Sequence, residues 1–294
     1  MARSKLHAVV RVATLVASVG APCLALAADL LPPPPPPPMP PPVEFAGGWY
    51  LRGDVGASIY TAPKYSVNDI PGTVFFGEAQ SGGLFAGVGV GYQFNNFFRA
   101  DVTGEYRTAS LRLSSYNDFG TGINNDITGR NFNLTSGHYD AAVVLANAYF
   151  DLGTWYGITP FVGGGAGVAF NNFSGFTDSG ITNFTYPFRF NQPTSPGFFK
   201  TKSTESFAWA LHAGLAYDVT PNFKVELAYR YLNLGRGQTG ALTCLDVSSP
   251  PCTTVLKAKN IEAHDIKLGL RYMIGTAFVP PLPPLMPEPL VTKY

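Results

Sequence analysis

The sequence predicts an all-β protein: an eight-stranded antiparallel up-and-down transmembrane β-barrel with short periplasmic turns and four long outer loops. Apolar side chains alternate with polar or small ones along eight segments, which is the period of a strand with two different faces. The connections between these segments are alternately short and long, as in outer-membrane barrels. The face opposite the apolar one is charged, so it cannot form the core of a soluble barrel but can line a polar lumen.

The composition excludes several other classes of protein. Only 13% of the 294 residues are charged, against about 25% in an ordinary soluble domain. Aromatic residues make up 14%, which argues against intrinsic disorder. A formal net charge of +1 provides no basic field for a nucleic-acid partner. No run of 18 apolar residues occurs between 46 and 276, which excludes a helical membrane protein.

The first 27 residues have the pattern of a secretory signal peptide. A cationic start (Arg3, Lys5, Arg11) precedes the apolar stretch 12–20, and the small residues that signal peptidase reads follow at 25–27. We predict cleavage between Ala27 and Ala28. The general secretory route would therefore export the chain to the cell outer membrane.

Proline-rich segments flank the predicted barrel. Residues 28–45 are expected to form a periplasmic linker, 46–276 the barrel, and 277–294 a periplasmic tail. Sixteen of the 26 prolines lie in the two flanking segments, which favours extended polyproline II geometry there. Peptidoglycan is the partner expected near these proline-rich ends.

The first four strands are predicted at 49–59, 84–94, 98–106 and 139–152. In the first, Leu51 and Val55 share the apolar face, while Arg52 and Asp54 lie opposite. In the second, apolar residues alternate with glycines, and in the third they alternate with charged residues. The fourth is less regular but keeps an apolar face opposite polar residues. All four patterns are typical of strands with one lipid-facing side.

The last four strands are predicted at 160–170, 207–219, 223–231 and 264–274. The clearest pattern is that of 207–219, where Phe207 and Trp209 alternate with Ala208 and Ala210. Short connections are expected at 95–96, 153–157 and 221–222, and long ones at 61–80, 107–137, 171–203 and 235–260. Because short turns mark the periplasmic end of a bacterial barrel, the four long connections are assigned to the outer side.

The charged face is predicted to form an ion-pair network inside the barrel. Its members are Arg52, Asp54, Arg99, Asp101, Glu105, Lys224, Glu226, Arg230, Asp265, Lys267 and Arg271. Both signs of charge are present, so the side chains can neutralise one another in a narrow lumen. Eight strands leave an interior just wide enough for side chains, which favours this structural role over a conducting path.

Two cysteines, Cys244 and Cys252, remain after the predicted cleavage. No CxxC motif or nearby histidine pair accompanies them, so a zinc site is disfavoured and a short-range disulfide is predicted. The glycine runs at 87–91 and 163–167 are not followed by a helical pattern, which argues against a dinucleotide site. No metal and no cofactor are expected.

Several motifs resemble the alphaproteobacterial outer-membrane β-barrel family, which has an OmpA-like eight-stranded transmembrane domain. The resemblance covers roughly 46–276 and rests on the sequences at 49–56, 208–214, 217–222 and 229–235. The family includes porin-like surface antigens and some hemin-binding members. Lys267, Gly269, Tyr272 and Ile274 also resemble the assembly signal of a last barrel strand, which implies the barrel assembly machinery as a partner.

The function favoured by these observations is a structural, surface-exposed and non-enzymatic one. A narrow porin-like diffusion channel and loop-mediated binding of hemin or a host ligand are the alternatives. Outer-membrane lipid and lipopolysaccharide are the expected surroundings. One candidate for catalysis is the pair His138 and Asp140, which share a strand face near the outer rim. The aromatic stretch within 171–203 predicts a loop that packs on itself or contacts lipopolysaccharide, or else an exposed surface that adheres to or grips a ligand.

Overall fold

The computed structural model describes residues 47–80, 82–121, 127–194, 196–245 and 253–274. The predicted signal peptide with its Ala27–Ala28 cleavage site, the linker and the tail lie outside these residues. The described residues contain strands and no helix, so no helix in them could cross a membrane.

Fifteen strands occur in the described part of the chain, and eight of them are long. In chain order they are β1 (Gly48–Thr61), β2 (Lys64–Val67), β3 (Val74–Gln80), β4 (Gly83–Gln93), β5 (Phe98–Thr121), β6 (Ile127–Asp151), β7 (Ile158–Tyr186), β8 (Phe190–Pro193), β9 (Gly197–Phe199), β10 (Lys202–Thr220), β11 (Phe223–Asn233), β12 (Arg236–Gln238), β13 (Leu242–Cys244), β14 (Leu256–Lys259) and β15 (Glu262–Ile274). The long strands β1, β4, β5, β6, β7, β10, β11 and β15 correspond to the eight predicted ones, although β4 and β6 each end one residue earlier than predicted.

These eight strands close into a ring. Each pairs antiparallel with its neighbours in this series, and β15 pairs back onto β1. Following the paired residues once around from Trp49 leads to Ile59, ten residues further along β1. With a rise of ~3.3 Å and a spacing of ~4.8 Å, this shear tilts the strands by ~41°. The predicted up-and-down barrel is confirmed.

The two faces of the strands are those that the alternation predicts. Leu51 is 50% exposed, Val88 71% and Ile266 65%, and all three point away from the barrel axis. The intervening Arg52 and Asp54 are buried inside. Large apolar side chains therefore cover the outside of the barrel, as lipid requires.

In the described residues, the four long connections contain much paired strand beyond the predicted strand ends. β5 and β6 stay paired from Phe98 and Phe150 out to Thr121 and Ile127, and β7 continues to Tyr186. A 24-residue strand is roughly 80 Å long, whereas ~9–11 residues cross a membrane. Outside lipid neither face must be apolar, so the alternation fades while the backbone pairing persists.

Short strands complete the outer end of the molecule. β3 pairs with β5, and β8 and β9 pair with β7. β13 pairs with β9. A separate three-stranded sheet, which we name the cap sheet, has the order β12-β14-β2. β12 follows β11, β14 precedes β15 and β2 follows β1 in the chain. The cap sheet therefore stands above three adjacent barrel strands.

The barrel interior has a polar section and, on its outer side, an apolar section that the sequence interpretation did not predict. Along β11 the inward residues are Glu226 and Arg230 first, then Leu232 and Leu234. We name the apolar section the plug. Its large members are Tyr60, Leu113, Tyr139, Phe173, Phe176, Leu232, Leu234, Leu256 and Ile261.

Inward glycines make room for large side chains inside this narrow barrel. A Cβ at Gly91 would overlap the Tyr50 ring and would lie 2.6 Å from the Ala100 carbonyl oxygen. Gly104, by contrast, faces outward and has nothing within 4 Å of its Cβ position. Glycine at position 91 therefore serves the close approach of a neighbouring ring.

Replacement of Gly91 is expected to destabilise the barrel. Gly91→Ala forces a methyl group against Tyr50 and the neighbouring backbone, an overpacking that costs about 1–3 kcal/mol. The heat-modifiable gel mobility of the refolded protein should disappear at a lower temperature than in the wild type. Gly104→Ala is the matched control and should melt as the wild type does. Equal melting of the two variants would contradict the inward packing at position 91.

Candidate functional site

The polar section of the barrel interior holds a charge-balanced cluster. Because alternate residues point inward, β1, β5, β6, β11 and β15 each deliver charged side chains to the same space. In the part of the chain that the structure describes, the buried cations are Arg52, Arg99, Arg107, Arg230, Lys267 and Arg271. The buried carboxylates are Asp54, Asp101, Glu105, Asp151, Glu226 and Asp265. Six positive and six negative charges give no net charge to the interior.

Glu226 is the acceptor at the centre of the periplasmic half of this cluster. Its Oε1 lies 3.1 Å from Arg271 Nε and 3.4 Å from Arg99 Nη2. Its Oε2 lies 3.3 Å from Arg52 Nη2. One carboxylate thus joins guanidinium groups from three strands, which ties β1, β5 and β15 to β11 across the lumen.

Arg52 extends this half of the cluster on the opposite side. Its Nη1 donates to Asp101 Oδ2 at 2.7 Å and to the Tyr149 hydroxyl at 3.1 Å. Its Nε and Nη2 form a two-pronged pair with Asp54, both at 2.9 Å. Lys267 adds a longer contact to Asp54 at 3.6 Å. All donors of this guanidinium face an acceptor, which fixes its plane.

A second group of four charges lies closer to the plug. Arg230 forms a two-pronged pair with Glu105, at 2.7 and 3.0 Å, and reaches Asp265 at 2.7 Å. Arg107 reaches the same two carboxylates, at 3.3 and 2.8 Å. The Phe85 ring lies beside both guanidiniums, with centroids 4.8 and 5.2 Å away. Two cations and two anions therefore neutralise one another beneath the plug.

The predicted network residues and the observed cluster overlap but are not identical. Ten predicted charges point into the interior. Lys224 instead lies partly exposed at the periplasmic end, where it pairs with Asp218. Arg107 and Asp151 were missing from the prediction. Arg107 lies in the segment assigned to an outer loop, although it continues the two-residue alternation of β5. Asp151 is the last inward residue of β6. The two-residue period is therefore the sequence signal that identifies both as interior charges.

Some guanidinium nitrogens of the polar section have no hydrogen-bond partner among the described residues. Examples are Nη1 of Arg99, Arg107 and Arg271. Buried polar groups of this kind are normally satisfied by ordered water. The polar section is therefore expected to be hydrated.

Hydrogen bonds also seal the plug. The Tyr139 hydroxyl donates to Asn171 Oδ1 at 2.7 Å, and Asn171 Nδ2 lies 2.9 Å from the carbonyl oxygens of Leu234 and Arg236. The Phe173 ring packs on Tyr139 at 5.3 Å. Three strands are joined here around apolar side chains, so the outer end of the lumen is closed in the described structure.

The histidines do not assemble a catalytic group in the described structure. His138 and Asp140 both lie on the outer surface of β6, where the Asp140 carboxylate hydrogen bonds with Tyr106. His212 is buried and its Nε2 lies 3.3 Å from Asn147 Oδ1. His264 pairs through Nδ1 with the Tyr229 hydroxyl at 2.7 Å. His138 and Asp140 share a strand face as predicted, but the Asp140 carboxylate hydrogen bonds with Tyr106.

Aromatic residues at the far end of β7 are partly packed and partly exposed. The Phe184 and Phe190 rings stack at 4.3 Å, and Phe119 meets Phe184 edge-on at 5.7 Å. Phe188 is 75% exposed and Tyr186 58%. The stretch therefore has a packed centre with exposed rings at its margin, and an adhesive or ligand-binding role for these rings stays a prediction.

Charged groups near this aromatic margin are paired. The Arg130 guanidinium donates to Asp118 at 2.5 and 2.9 Å, and these hydrogen bonds lower the pKa of the Asp118 carboxyl. Burial raises the pKa of Asp178, whose Oδ1 accepts a hydrogen bond from Thr135 at 2.7 Å. These contacts join β5 to β6 and β6 to β7 outside the barrel.

Two further sequence predictions concern Cys244 and the last strand. Cys244 is disulfide-bonded, but its predicted partner Cys252 lies outside the described residues, so the pairing stays a prediction. On β15, Lys267 and Gly269 point inward, whereas Tyr272 and Ile274 point outward. The assembly role of these four residues also stays a prediction.

Comparison with known proteins finds a matching family model and similar proteins from other bacteria. The family model of the outer membrane protein beta-barrel domain matches residues 13–273. A Brucella abortus (strain 2308) relative of uncharacterised function is 34% identical over 292 residues, which cover 90% of this chain and 96% of that protein. A Rickettsia bellii (strain OSU 85-389) protein named as a candidate adhesin is 24% identical over 231 residues, covering 76% of this chain and 87% of its own.

Among solved structures, the outer membrane protein OprG from Pseudomonas aeruginosa is similar to this chain. The similarity covers 78% of this chain and 97% of that one, with 15% sequence identity and a TM-score of 0.41.

Loss of the central carboxylate is expected to destabilise the barrel strongly. Glu226→Gln leaves Arg52, Arg99 and Arg271 without their shared counter-charge in a buried site, which costs about 3–5 kcal/mol. Refolded Glu226→Gln should lose heat-modifiable mobility at a markedly lower temperature or in less urea than the wild type.

Two controls isolate the effect of charge balance. Asp118→Asn removes a carboxylate from an exposed pair and should leave the melting unchanged. Combining Glu226→Gln with Arg271→Gln restores a net charge of zero inside and should recover part of the lost stability. A double variant less stable than Glu226→Gln alone would contradict charge balance as the cause.

Proposed function

The chain belongs to the outer membrane protein beta-barrel domain family, and we propose that it is a surface-exposed, non-enzymatic outer-membrane protein whose closed barrel anchors extended outer strands. Membership of this family implies a location in the outer membrane. The predicted signal peptide at 1–27 supports delivery through the general secretory route.

The closed interior is the observation that carries this proposal. A charge-neutral cluster fills the polar section, and the plug covers its outer end. Salt bridges such as those of Glu226 and Arg230 cross the lumen from strand to strand. An interior of this kind supports an anchoring role, because a solute would have to displace paired charges and packed rings.

The outer strands supply the second part of the proposal. β5, β6 and β7 remain paired far beyond the length that lipid requires. β7 ends at the exposed Tyr186, and the exposed Phe188 follows it. Exposed aromatic groups on a rigid support are typical of contact surfaces. The Rickettsia bellii relative named as a candidate adhesin is in keeping with such a role.

A narrow diffusion channel is the second candidate, and the unpaired guanidinium nitrogens favour it. Hydration of the polar section would provide a short aqueous path from the periplasmic side. The plug ends this path before the outer surface. The two candidates therefore differ in one property, the ionic conductance of the intact barrel.

Planar-bilayer recordings of the refolded protein test this difference. We expect no reproducible conductance steps from the wild type. Truncation of the plug by Phe173→Ala together with Leu234→Ala should allow steps to appear, because the outer closure is removed. Lipid-facing Val144→Ala with Leu268→Ala is the control and should remain silent. Regular steps from the wild type would establish the channel instead.

Chemical labelling on intact cells tests the proposed surface exposure. Phe188→Cys, at the outer end, should react with a membrane-impermeant maleimide added to whole cells. Asn96→Cys, in the short turn between β4 and β5, is equally accessible in the folded protein but should react only after the outer membrane is permeabilised. Labelling of Asn96→Cys but not Phe188→Cys on intact cells would reverse the proposed orientation.

A further inference from the structure

The cap sheet has two chemically different faces. Alternate residues of β2 and β14 contribute Tyr65, Val67, Leu256 and Ala258 to the plug below. The opposite face is exposed and carries Lys64, Lys257, Lys259 and Arg236, together with Ser66 and Gln238. It contains four cations and no carboxylate among the described residues.

Three of these cations stand side by side across the sheet. Arg236 pairs in register with Lys259, and Lys259 pairs in register with Lys64. Like charges directly opposite one another on neighbouring strands destabilise a sheet. We name these three residues the basic row. The arrangement therefore opposes folding of the cap sheet unless an anion neutralises it.

The described part of the protein offers no such anion. None of its salt bridges involves the basic row or Lys257. The acids closest in sequence to the row have other partners. Asp69 accepts hydrogen bonds from Thr253 and Thr254, at 3.3 and 3.0 Å, and Glu262 hydrogen bonds with Tyr231. The four cations are therefore exposed and have no ion-pair partner among the described residues, which leaves them available to an anion from outside.

The position of the basic row indicates where the anion lies. Ile59, Tyr229 and His264 form the outer edge of the apolar, aromatic wall on the same three barrel strands. Lys64 follows Ile59 by five residues, which places it at most ~17 Å further along the chain and, with a tilt of ~41°, ~12 Å higher. Flexible lysine and arginine side chains reach back toward the membrane surface from there.

We propose that the basic row binds phosphate groups of the glycolipid in the outer leaflet, the lipopolysaccharide that surrounds the barrel. The inference rests on the outer-membrane placement under "Proposed function". Lysine supplies point charges and arginine a planar fork that matches phosphate oxygens. The row continues the lipid-facing wall upward, so a lipid seated against Ile59 carries its phosphates to Lys64 and Lys259.

Binding of solubilised rough lipopolysaccharide to the refolded, full-length protein tests the proposal. Lys64→Gln with Lys259→Gln should weaken binding by about 30-fold, since each cation near an anionic surface contributes a factor of about five. Arg130→Gln with Arg189→Gln removes two cations at the far outer end and should bind as the wild type does. The charge-retaining Lys64→Arg with Lys259→Arg should also bind normally.

The lipid itself provides a second measurement that needs no variant. Dephosphorylated lipopolysaccharide should bind to the wild type much more weakly than the phosphorylated form. Equal binding of both forms, or equal binding by the Lys64→Gln, Lys259→Gln variant, would overturn the proposal. Equally tight binding of inositol hexakisphosphate would overturn the lipid assignment, because a soluble polyanion would then suffice.

Surface labelling separates this proposal from the proposed function. Phe188→Cys is introduced into each variant and labelled on intact cells. Normal labelling combined with phosphate-independent binding contradicts the lipid site and leaves the surface placement intact. Absent labelling in the otherwise wild-type chain contradicts the placement itself, on which the lipid site depends.

Discussion

The buried carboxylate of Glu226 holds the polar half of the barrel together. It contacts guanidinium groups from β1, β5 and β15 while standing on β11, so four of the eight strands meet at one side chain. An arginine confined in a narrow interior is tolerated only beside such an acceptor. Charge neutrality inside the barrel is thus a condition for closing the ring. The order of strands around the ring brings the opposite charges together.

The plug depends on this polar half beneath it. Tyr60 lies above Arg107, with the guanidinium 5.8 Å from the ring centroid, and Ala263 lies on the outer side of Asp265 along the same inward face of β15. Charges fill the section enclosed by lipid, and apolar residues fill the section that rises beyond it. The inner face of the strands is therefore polar within the membrane and apolar above it. This apolar core stabilises the outer strands where lipid no longer supports them.

The strands that extend beyond the membrane connect structure with function. Their pairing continues because backbone hydrogen bonds do not depend on lipid, and their polar faces face water. Pairs such as Asp118 with Arg130 and rings such as Phe184 on Phe190 make the outer end an ordered surface. In the proposed function the barrel anchors this surface, and in the proposed lipid site the cap sheet places positive charge between the surface and the membrane.

The sequence alone determined the eight strands, their two faces and the short turns, because a two-residue period is local information. It also identified most of the interior charges, since Arg52 and Asp54 had to lie opposite Leu51 and Val55. Only the tertiary structure decided which charges meet, because Arg52 and Glu226 are 174 residues apart and come together only when β15 pairs with both β1 and β11. It also decided the plug, the paired outer strands and the basic row. Small inward residues such as Ala208 and Ala210 form an apolar core only when eight strands bring them together.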